Sequence, residues 1–246
     1  MVVMQSKNHI KSNNYTDAVQ NAYGSYVING GDGNNVLKIR GENLGYDSSF
    51  LKRCNLITTI NGDEDSLESA AETRQHGIQT LFMAFCGSGC PLRIDSDKHL
   101  PKEGDVIVDL GCGAGHDAIL AGGLAGKSGR VVGIDFTQAM IDQFIKNAET
   151  YASEDGGDTS FAPFESVTGS LEDPEQLFSS TGLKKGCADI VTSNGVFNLC
   201  ANKALAFQTA YDLLKPGGKF LLSDVCIVEE NLDAKISCTV GDEVTS

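Results

Sequence analysis

The feature that most constrains the fold is the string VIVDLGCGAG, which runs from Val106 to Gly115. Its first half is a short apolar run, as in a buried strand, and its second half supplies Gly111, Gly113 and Gly115. Glycines directly after a buried strand let the chain turn tightly into a helix and let a ligand come close to the backbone. This pattern is typical of a nucleotide site in an α/β fold.

Beyond residue 100, short apolar runs alternate with longer amphipathic segments. This alternation predicts a parallel sheet with crossover helices. The predicted strands are Val106–Leu110, Arg130–Asp135, Phe164–Thr168, Ala188–Thr192 and Lys219–Ser223. The predicted helices are His116–Ala125, Thr137–Tyr151, Glu172–Ser179 and Lys203–Leu214.

The N-terminal part of the chain has a different character. Its first 60 or so residues are rich in Asn and Gly and show little periodicity, so we expect a loosely ordered arm. Apolar residues at helical spacing predict one helix from Ser66 to Gly87. We therefore divide the chain into an arm and helical lid, residues 1–100, and a core domain, residues 101–246.

Charge and cysteine content exclude several classes of protein. Nineteen basic residues against 33 acidic ones give a net charge of −14, which would repel a nucleic-acid backbone. The sequence contains no apolar run long enough for a membrane span, so no membrane partner is expected. Eight cysteines are too sparse for a disulfide scaffold, and the N-terminus lacks a signal-peptide core. We expect a cytoplasmic protein with reduced thiols.

The spacing of the glycines distinguishes between cofactors. A dinucleotide fingerprint has its third glycine one residue later, where this chain has His116, so NAD is disfavoured. The strand RVVGID ends in Asp135, and a carboxylate there can accept hydrogen bonds from both ribose hydroxyls of an adenosine. In the alternative interpretation, the glycines only form a tight turn and Asp135 caps the helix that follows.

The spacing Asp-x-Gly-x-Gly-x-Gly, from Asp109 to Gly115, resembles the first motif of class I S-adenosylmethionine methyltransferases. LLKPGGKFLLSD, from Leu213 to Asp224, resembles the entry to their fifth strand. The resemblance implies a Rossmann-like α/β/α sandwich with S-adenosylmethionine as cofactor. This fold normally continues into a strand hairpin, so we expect a C-terminally truncated core: either the chain is a fragment, or its N-terminal arm covers the sheet edge.

The residues that the resemblance places at the cofactor lie at or near the carboxyl ends of predicted strands. They are Asp109, Gly111, Cys112, Gly113, Gly115, Asp135, Phe136, Thr137, Ser170, Leu171 and Asn194. Asp109 would face the amino-acid end of the cofactor, and the backbone carbonyl of Asn194 would accept a hydrogen bond from its ammonium group. In the alternatives, Asn194 is a polar turn residue and Cys112 is a small buried apolar residue.

Four strings narrow the resemblance: DLGCGAGHDAILAG, GRVVGIDFTQAM, SNGVFNL and LKPGGKFLLSDV are similar to the arsenite methyltransferase family. Upstream, VQNAYGS, LGYDSS and GSGCP are fainter matches. The family resemblance implies methyl transfer to trivalent arsenic held by cysteine thiolates. Arsenic(III) has its own lone pair and prefers soft ligands, so catalysis needs positioning rather than a general base.

The arsenic-binding cysteines of that family fall at three places, which this chain matches unevenly. In the GSGCP turn, Ser88 aligns with the family cysteine and has a cysteine two residues to either side. After the fourth strand the aligned residue is Gly195, with a cysteine five residues further on. After the fifth strand a cysteine fits the family position. The candidate arsenic-binding thiols are therefore Cys86, Cys90, Cys200 and Cys238.

Three functions stay open. The first is arsenite methylation, with arsenite or its glutathione conjugate as substrate and a thiol as reductant. The second is methylation of another small acceptor, which Gly195 favours. The third is a non-catalytic module that binds the cofactor, or thiophilic ions through Cys86, Cys90 and Cys238. No resident metal is expected, because Cys86 and Cys90 lack further ligands at zinc-site spacing.

Overall fold

A computed structural model of the protein describes residues 44–56, 87–93, 99–152 and 160–226. Its centre is a five-stranded parallel sheet with the strand order β3-β2-β1-β4-β5. The strands are β1 Val106–Leu110, β2 Arg130–Asp135, β3 Phe164–Thr168, β4 Ala188–Asn194 and β5 Leu214–Ser223.

Five α-helices flank the sheet or precede it in the described part of the chain. They are α1 Ser48–Arg53, α2 His116–Ala125, α3 Gln138–Ala152, α4 Pro174–Thr181 and α5 Lys203–Leu213. Polar side chains set several of the starts: the side chain of Asp173 accepts a hydrogen bond from the Gln176 amide, and that of Asn202 from the Leu205 amide. Within the described residues, no helix has both the length and the apolar character needed to cross a membrane.

Two apolar clusters cover the two faces of the sheet. Alternate strand residues point to opposite faces, and Ile107 of β1 belongs to one cluster while Val108 belongs to the other. The first cluster is built with side chains of α2 and α3, including Phe144. The second is built with side chains of α4 and α5. The result is the three-layer sandwich that the sequence predicts.

The strand ends are brought together by the parallel register. Leu110, the last residue of β1, pairs with Ile134 of β2 and with Ser193 of β4. Asp135 at the end of β2 pairs with Thr168 at the end of β3. The carboxyl ends of the strands therefore meet at one edge of the sheet, where ligands bind in open α/β folds.

Two upstream segments pack against the core. Tyr46, Phe50 and Leu92 are buried in the first cluster. The Nδ2 of Asn55 donates a 2.9 Å hydrogen bond to the backbone carbonyl of Gly123 in α2. Residues 44–56 and 87–93 thus lie on the same side of the sheet as α2.

Most predicted bounds agree with the structure, and β1, β2, β3 and α2 are confirmed residue for residue. The prediction for the fifth strand was wrong at its start, which is Leu214 rather than Lys219. Leu214 already pairs with Ala188, and a register shift then places Lys219 opposite Ile190. The KPGG segment is therefore an irregularity inside β5 and does not precede the strand.

Other bounds differ by two residues or fewer. The fourth strand continues to Asn194, because Asn194 pairs with Ser223 of β5. α4 begins at Pro174 rather than Glu172 because Asp173 caps it, and a proline is tolerated in the first turn. The helix predicted from Ser66 to Gly87 falls, but for its last residue, outside the described residues.

A helix glycine provides a test of how closely residues 44–56 approach α2. Replacing a mid-helix glycine by alanine normally stabilises a helix by about 1 kcal/mol. At Gly123 an added Cβ would overlap the backbone carbonyl of Cys54. We expect Gly123→Ala to lower the free energy of unfolding by about 2 kcal/mol, measured by urea denaturation.

The control is Thr150→Ala, an alanine at an exposed position of α3. We expect it to be neutral or stabilising by a few tenths of a kcal/mol. If Gly123→Ala instead stabilised the protein by about 1 kcal/mol, as at an ordinary helix glycine, this would contradict the close approach of the Cys54 carbonyl to α2.

Candidate active site

The turn from β1 into α2 is the glycine loop, Gly111–Gly115. Its first two amides form hydrogen bonds with β2: the N–H groups of Gly111 and Cys112 donate to the carbonyl of Ile134, at 2.7 and 3.0 Å. Gly111, Gly113 and Gly115 have φ angles of +70°, +54° and +87°. This left-handed conformation costs other residues about 1–2 kcal/mol, so the path of the loop requires glycine.

The three glycines of the loop have different surroundings and different roles. A Cβ at Gly111 would overlap the side chain of Val196, and one at Gly115 would overlap the ring of Phe144. The nearest atom to a Cβ at Gly113 is the Sδ of Met140, 3.9 Å away. Gly111 and Gly115 are therefore needed for internal packing, and Gly113 is the position where the loop stays open to a ligand.

Asp135 connects the end of β2 to this loop. Its Oδ2 accepts a 3.0 Å hydrogen bond from the Gly113 amide, and its Oδ1 a 2.8 Å hydrogen bond from the Thr137 amide. The residue is 7% exposed, and burial raises the pKa of its carboxyl, against the effect of these amides. Hydrogen bonds from the Thr137 hydroxyl and the Phe136 amide also lower that pKa. Asp135 thus supports the start of α3, next to half-buried Phe136 and buried Thr137.

Asp109 lies one strand away. It is 3% exposed, and its Oδ1 accepts a 2.8 Å hydrogen bond from the hydroxyl of Thr192. Burial, with the nearby charge of Asp117, raises the pKa of Asp109 to about 8. Asp109, Asp117 and Asp135 therefore place three buried carboxyl groups around the glycine loop. Because an opposite charge stabilises a buried carboxylate, such a site suits a ligand with cationic groups.

The loop after β3 reaches the same edge of the sheet. The amide of Gly169 donates a 2.9 Å hydrogen bond to the backbone carbonyl of Asp135. Ser170, which follows, is exposed, while Leu171 is buried in the second cluster and its carbonyl accepts a 2.7 Å hydrogen bond from the hydroxyl of Thr209. Ser170 is therefore accessible at the strand ends, whereas the side chain of Leu171 contributes to the core.

Asn194 at the end of β4 turns its side chain towards the Gly87–Cys90 turn. Its Oδ1 accepts a 2.8 Å hydrogen bond from the Ser88 amide, and its Nδ2 donates to the Gly89 carbonyl at 2.6 Å. The same Nδ2 donates to Asp117 at 2.8 Å. The sequence predicts a role only for the backbone carbonyl of Asn194, and no local signal marks these contacts of its side chain.

The described cysteines that were predicted as site residues are buried. Cys90 and Cys112 belong to the first cluster and Cys200 to the second, so Cys90 and Cys200 lie on opposite faces of the sheet. Burial raises the pKa of all three thiols, that of Cys200 to about 11. They are thiols rather than thiolates at neutral pH. Cys86 and Cys238 lie outside the described residues.

Two hydroxyl groups meet where the GSGCP turn contacts the end of β5. The hydroxyl of Ser88, which aligns with a family cysteine, lies 3.3 Å from that of Ser223 at the end of β5. Gly195, at the second family position, has a φ of +69°, and its amide donates a 2.8 Å hydrogen bond to the Ser223 carbonyl. The structure therefore brings the GSGCP turn to the ends of β4 and β5, and positions 88 and 195 there carry no thiol.

Comparison with known proteins places this geometry in context. Residues 101–243 match a family model described as a methyltransferase domain. The arsenite methyltransferase of Homo sapiens is 36% identical over 182 residues, covering 73% of this chain and 46% of that protein. The arsenite methyltransferase of Rattus norvegicus is 33% identical over 207 residues, covering 84% and 47%. The similarity to arsenite methyltransferases expected from the motifs is confirmed, and the chain spans about half the length of these relatives.

One solved structure with a similar sequence is an arsenic(III) S-adenosylmethionine methyltransferase from Chlamydomonas reinhardtii. It is 36% identical, the match covers 57% of this chain and 43% of that chain, and the TM-score is 0.46.

The protonation of the buried thiols can be tested by alkylation. At pH 8 a thiol with a pKa of about 11 is about 0.1% thiolate, against about 20% for an ordinary cysteine. We expect iodoacetamide to label Cys200 in the native protein on the order of a hundredfold more slowly than exposed Cys226, as followed by peptide mass spectrometry. The control is urea-unfolded protein, where the two rates should converge. Equal rates in the native protein would contradict the burial of Cys200.

Proposed function

This chain belongs to the family of methyltransferase domains, and we propose that it binds S-adenosylmethionine and transfers the methyl group of this cofactor to a small acceptor. The observation that carries the proposal is the contact of Asp135 with the glycine loop. It joins an acidic side chain at the end of β2 to the one open glycine of the β1–α2 turn.

The residues present fit this cofactor. The backbone at Gly113 leaves room for close approach, and Asp135 has lone pairs for the ribose hydroxyls. Asp109 would accept from the ammonium group, because a cation offsets the burial that raises the pKa of this carboxyl. When bound, S-adenosylmethionine supplies an electrophilic methyl group on a positively charged sulfur.

The remaining proposed contacts come from the neighbouring strand ends. Phe136 and Thr137 follow Asp135 directly, and exposed Ser170 lies after β3. The Asn194 carbonyl would be a second acceptor for the ammonium group. The contribution of the protein is to hold the cofactor at this edge and to keep water from the acceptor, which lowers the entropic cost of the reaction.

We propose trivalent arsenic, as arsenite or its glutathione conjugate, as the acceptor. The similarity to arsenite methyltransferases supports this, and so does the position of the GSGCP turn beside the ends of β4 and β5. The candidate ligands are Cys86, Cys90 and Cys238, with Cys200 as an alternative to Cys90, since those two lie on opposite faces of the sheet. Because burial keeps Cys90 and Cys200 protonated, binding of arsenic to either would release a proton, and a thiol reductant would keep them reduced.

A second candidate is methylation of a different small acceptor. It is favoured by the hydroxyls of Ser88 and Ser223, which lie 3.3 Å apart where a family thiol is expected. Hydroxyl oxygens are hard ligands with little preference for arsenic, whereas they hydrogen-bond well to oxygen or nitrogen groups.

The cofactor site is tested by Asp135→Ala. Loss of charge-assisted hydrogen bonds should weaken S-adenosylmethionine binding by about 1–3 kcal/mol, or roughly 5- to 150-fold in Kd, measured by titration calorimetry. The control is Glu165→Ala, which removes a carboxylate of the same sheet near the start of β3, where it pairs with Arg130. Urea denaturation confirms that both variants fold. An unchanged Kd in folded Asp135→Ala would place the ribose elsewhere.

The acceptor is tested with methyl-labelled cofactor, arsenite and glutathione. We expect labelled methylarsenic from the parent chain, a large loss in Cys238→Ser, and faster turnover in Ser88→Cys, which supplies the missing family thiol. The control for Ser88→Cys is Ser88→Ala, which removes the hydroxyl without adding a thiol. Turnover only on an organic acceptor would overturn the arsenic assignment, and cofactor binding without any turnover would overturn methyl transfer itself.

A further inference from the structure

The side-chain amide of Asn194 makes three hydrogen bonds to the backbone of the Gly87–Cys90 turn. The Oδ1 of Asn194 accepts hydrogen bonds from two consecutive backbone amides of the turn, Ser88 at 2.8 Å and Gly89 at 3.3 Å. Its Nδ2 donates to the carbonyl of Gly89 at 2.6 Å. One side chain therefore satisfies two donors and one acceptor of a turn that lies 105 and 106 residues away in the sequence.

Only a carboxamide can make this set of contacts. A carboxylate would accept from the two amides but could not donate to the Gly89 carbonyl, and an aliphatic side chain could do neither. The opposite orientation of the Asn194 amide would direct N–H groups at the N–H groups of Ser88 and Gly89. The geometry therefore fixes both the residue type and its orientation.

The same amide also reaches the helix that follows the glycine loop. Its Nδ2 lies 2.8 Å from Oδ2 of Asp117, in the first turn of α2, and 3.0 Å from the hydroxyl of Tyr46. The Tyr46 hydroxyl in turn lies 2.8 Å from Oδ1 of Asp117 and 2.6 Å from the Gly89 carbonyl, and its one proton serves one of these two acceptors. Asn194, Tyr46 and Asp117 thus form one network between the turn and α2.

The glycines of the turn permit this close approach. A Cβ at Gly87 would overlap the Asn194 amide, and a Cβ at Gly89 would come within 2.5 Å of the Ser223 hydroxyl. Neither glycine has a positive φ angle. The sequence Gly-Ser-Gly is therefore explained by proximity to β4 and β5, and it leaves Ser88 as the residue of the turn whose side chain faces Ser223.

We propose that Asn194 is a positioning residue: its side chain, supported by Tyr46 and Asp117, holds the Gly87–Cys90 turn at the acceptor end of the site and connects it to α2 beside the glycine loop. The inference rests on the proposed function in assigning the acceptor to this turn. The hydrogen-bond network itself does not depend on which acceptor is methylated, or on whether any is.

The test uses the full chain with two variants. Asn194→Leu removes every polar contact of the amide. Tyr46→Phe removes one hydroxyl and leaves the ring against His116, where the centroids are 4.5 Å apart. The control is Gln208→Ala, which removes an exposed amide that donates to Asp212 on α5.

The first readout is amide hydrogen exchange. We expect the Ser88 and Gly89 amides to exchange at least tenfold faster in Asn194→Leu, with a smaller increase in Tyr46→Phe and none in Gln208→Ala. Unchanged exchange in folded Asn194→Leu would overturn the proposal. If that variant does not fold, unchanged exchange in Tyr46→Phe overturns it in the same way.

The second readout separates positioning from general loss of structure. We expect the KM for the acceptor to rise at least fivefold in Asn194→Leu and to a smaller extent in Tyr46→Phe, while the Kd for S-adenosylmethionine changes by less than twofold in Tyr46→Phe. Parallel increases in both constants would contradict a role confined to the turn. If the parent shows no methyl transfer, the proposed function fails, and the exchange rates still decide whether Asn194 holds the turn.

Discussion

The site depends on one carboxylate that accepts hydrogen bonds from two backbone amides. Asp135 is the last residue of β2, and its oxygens bind the amides of Gly113 and Thr137. Three elements are fixed in this way: the strand, the glycine loop and the start of α3. Gly113 can remain open because its neighbours Gly111 and Gly115 are packed against side chains. The open backbone position and the acid beside it are therefore a single structural unit.

Burial of acidic groups at this edge is the second constraint. Asp109 is buried close to the charge of Asp117, and burial together with that charge raises the pKa of Asp109 to about 8. Asp117 accepts a hydrogen bond from the Asn194 amide and also contacts the Tyr46 hydroxyl and Nδ1 of His116. Asp109 accepts from the Thr192 hydroxyl. Neutral donors compensate a buried negative charge only in part. A cationic ligand would complete the compensation, which supports the proposal that a sulfonium cofactor binds at this edge of the sheet.

Local pattern predicted much of the fold, and long-range contact accounts for what it missed. β1, β2, β3 and α2 follow from apolar periodicity and glycine spacing, which are properties of neighbouring residues. The contacts of Asn194 with Ser88 and of Tyr46 with Asp117 span 106 and 71 residues, and no local signal marks them. The start of β5 was missed for the same reason: a Lys-Pro-Gly-Gly segment indicates a turn, but pairing of Leu214 with Ala188 begins the strand before it.

The difference from the family cysteine pattern at position 195 concerns the backbone as well as the side chain. Gly195 has a φ of +69°, and its amide is bound to the Ser223 carbonyl at 2.8 Å. A cysteine in this conformation would cost about 1–2 kcal/mol, so the path of the chain after β4 is itself adapted to glycine. Ser88 is under no such restriction, because it has no positive φ and its hydroxyl already lies beside Ser223. Of positions 88 and 195, position 88 is therefore the one where a thiol could replace the present side chain without strain in the backbone.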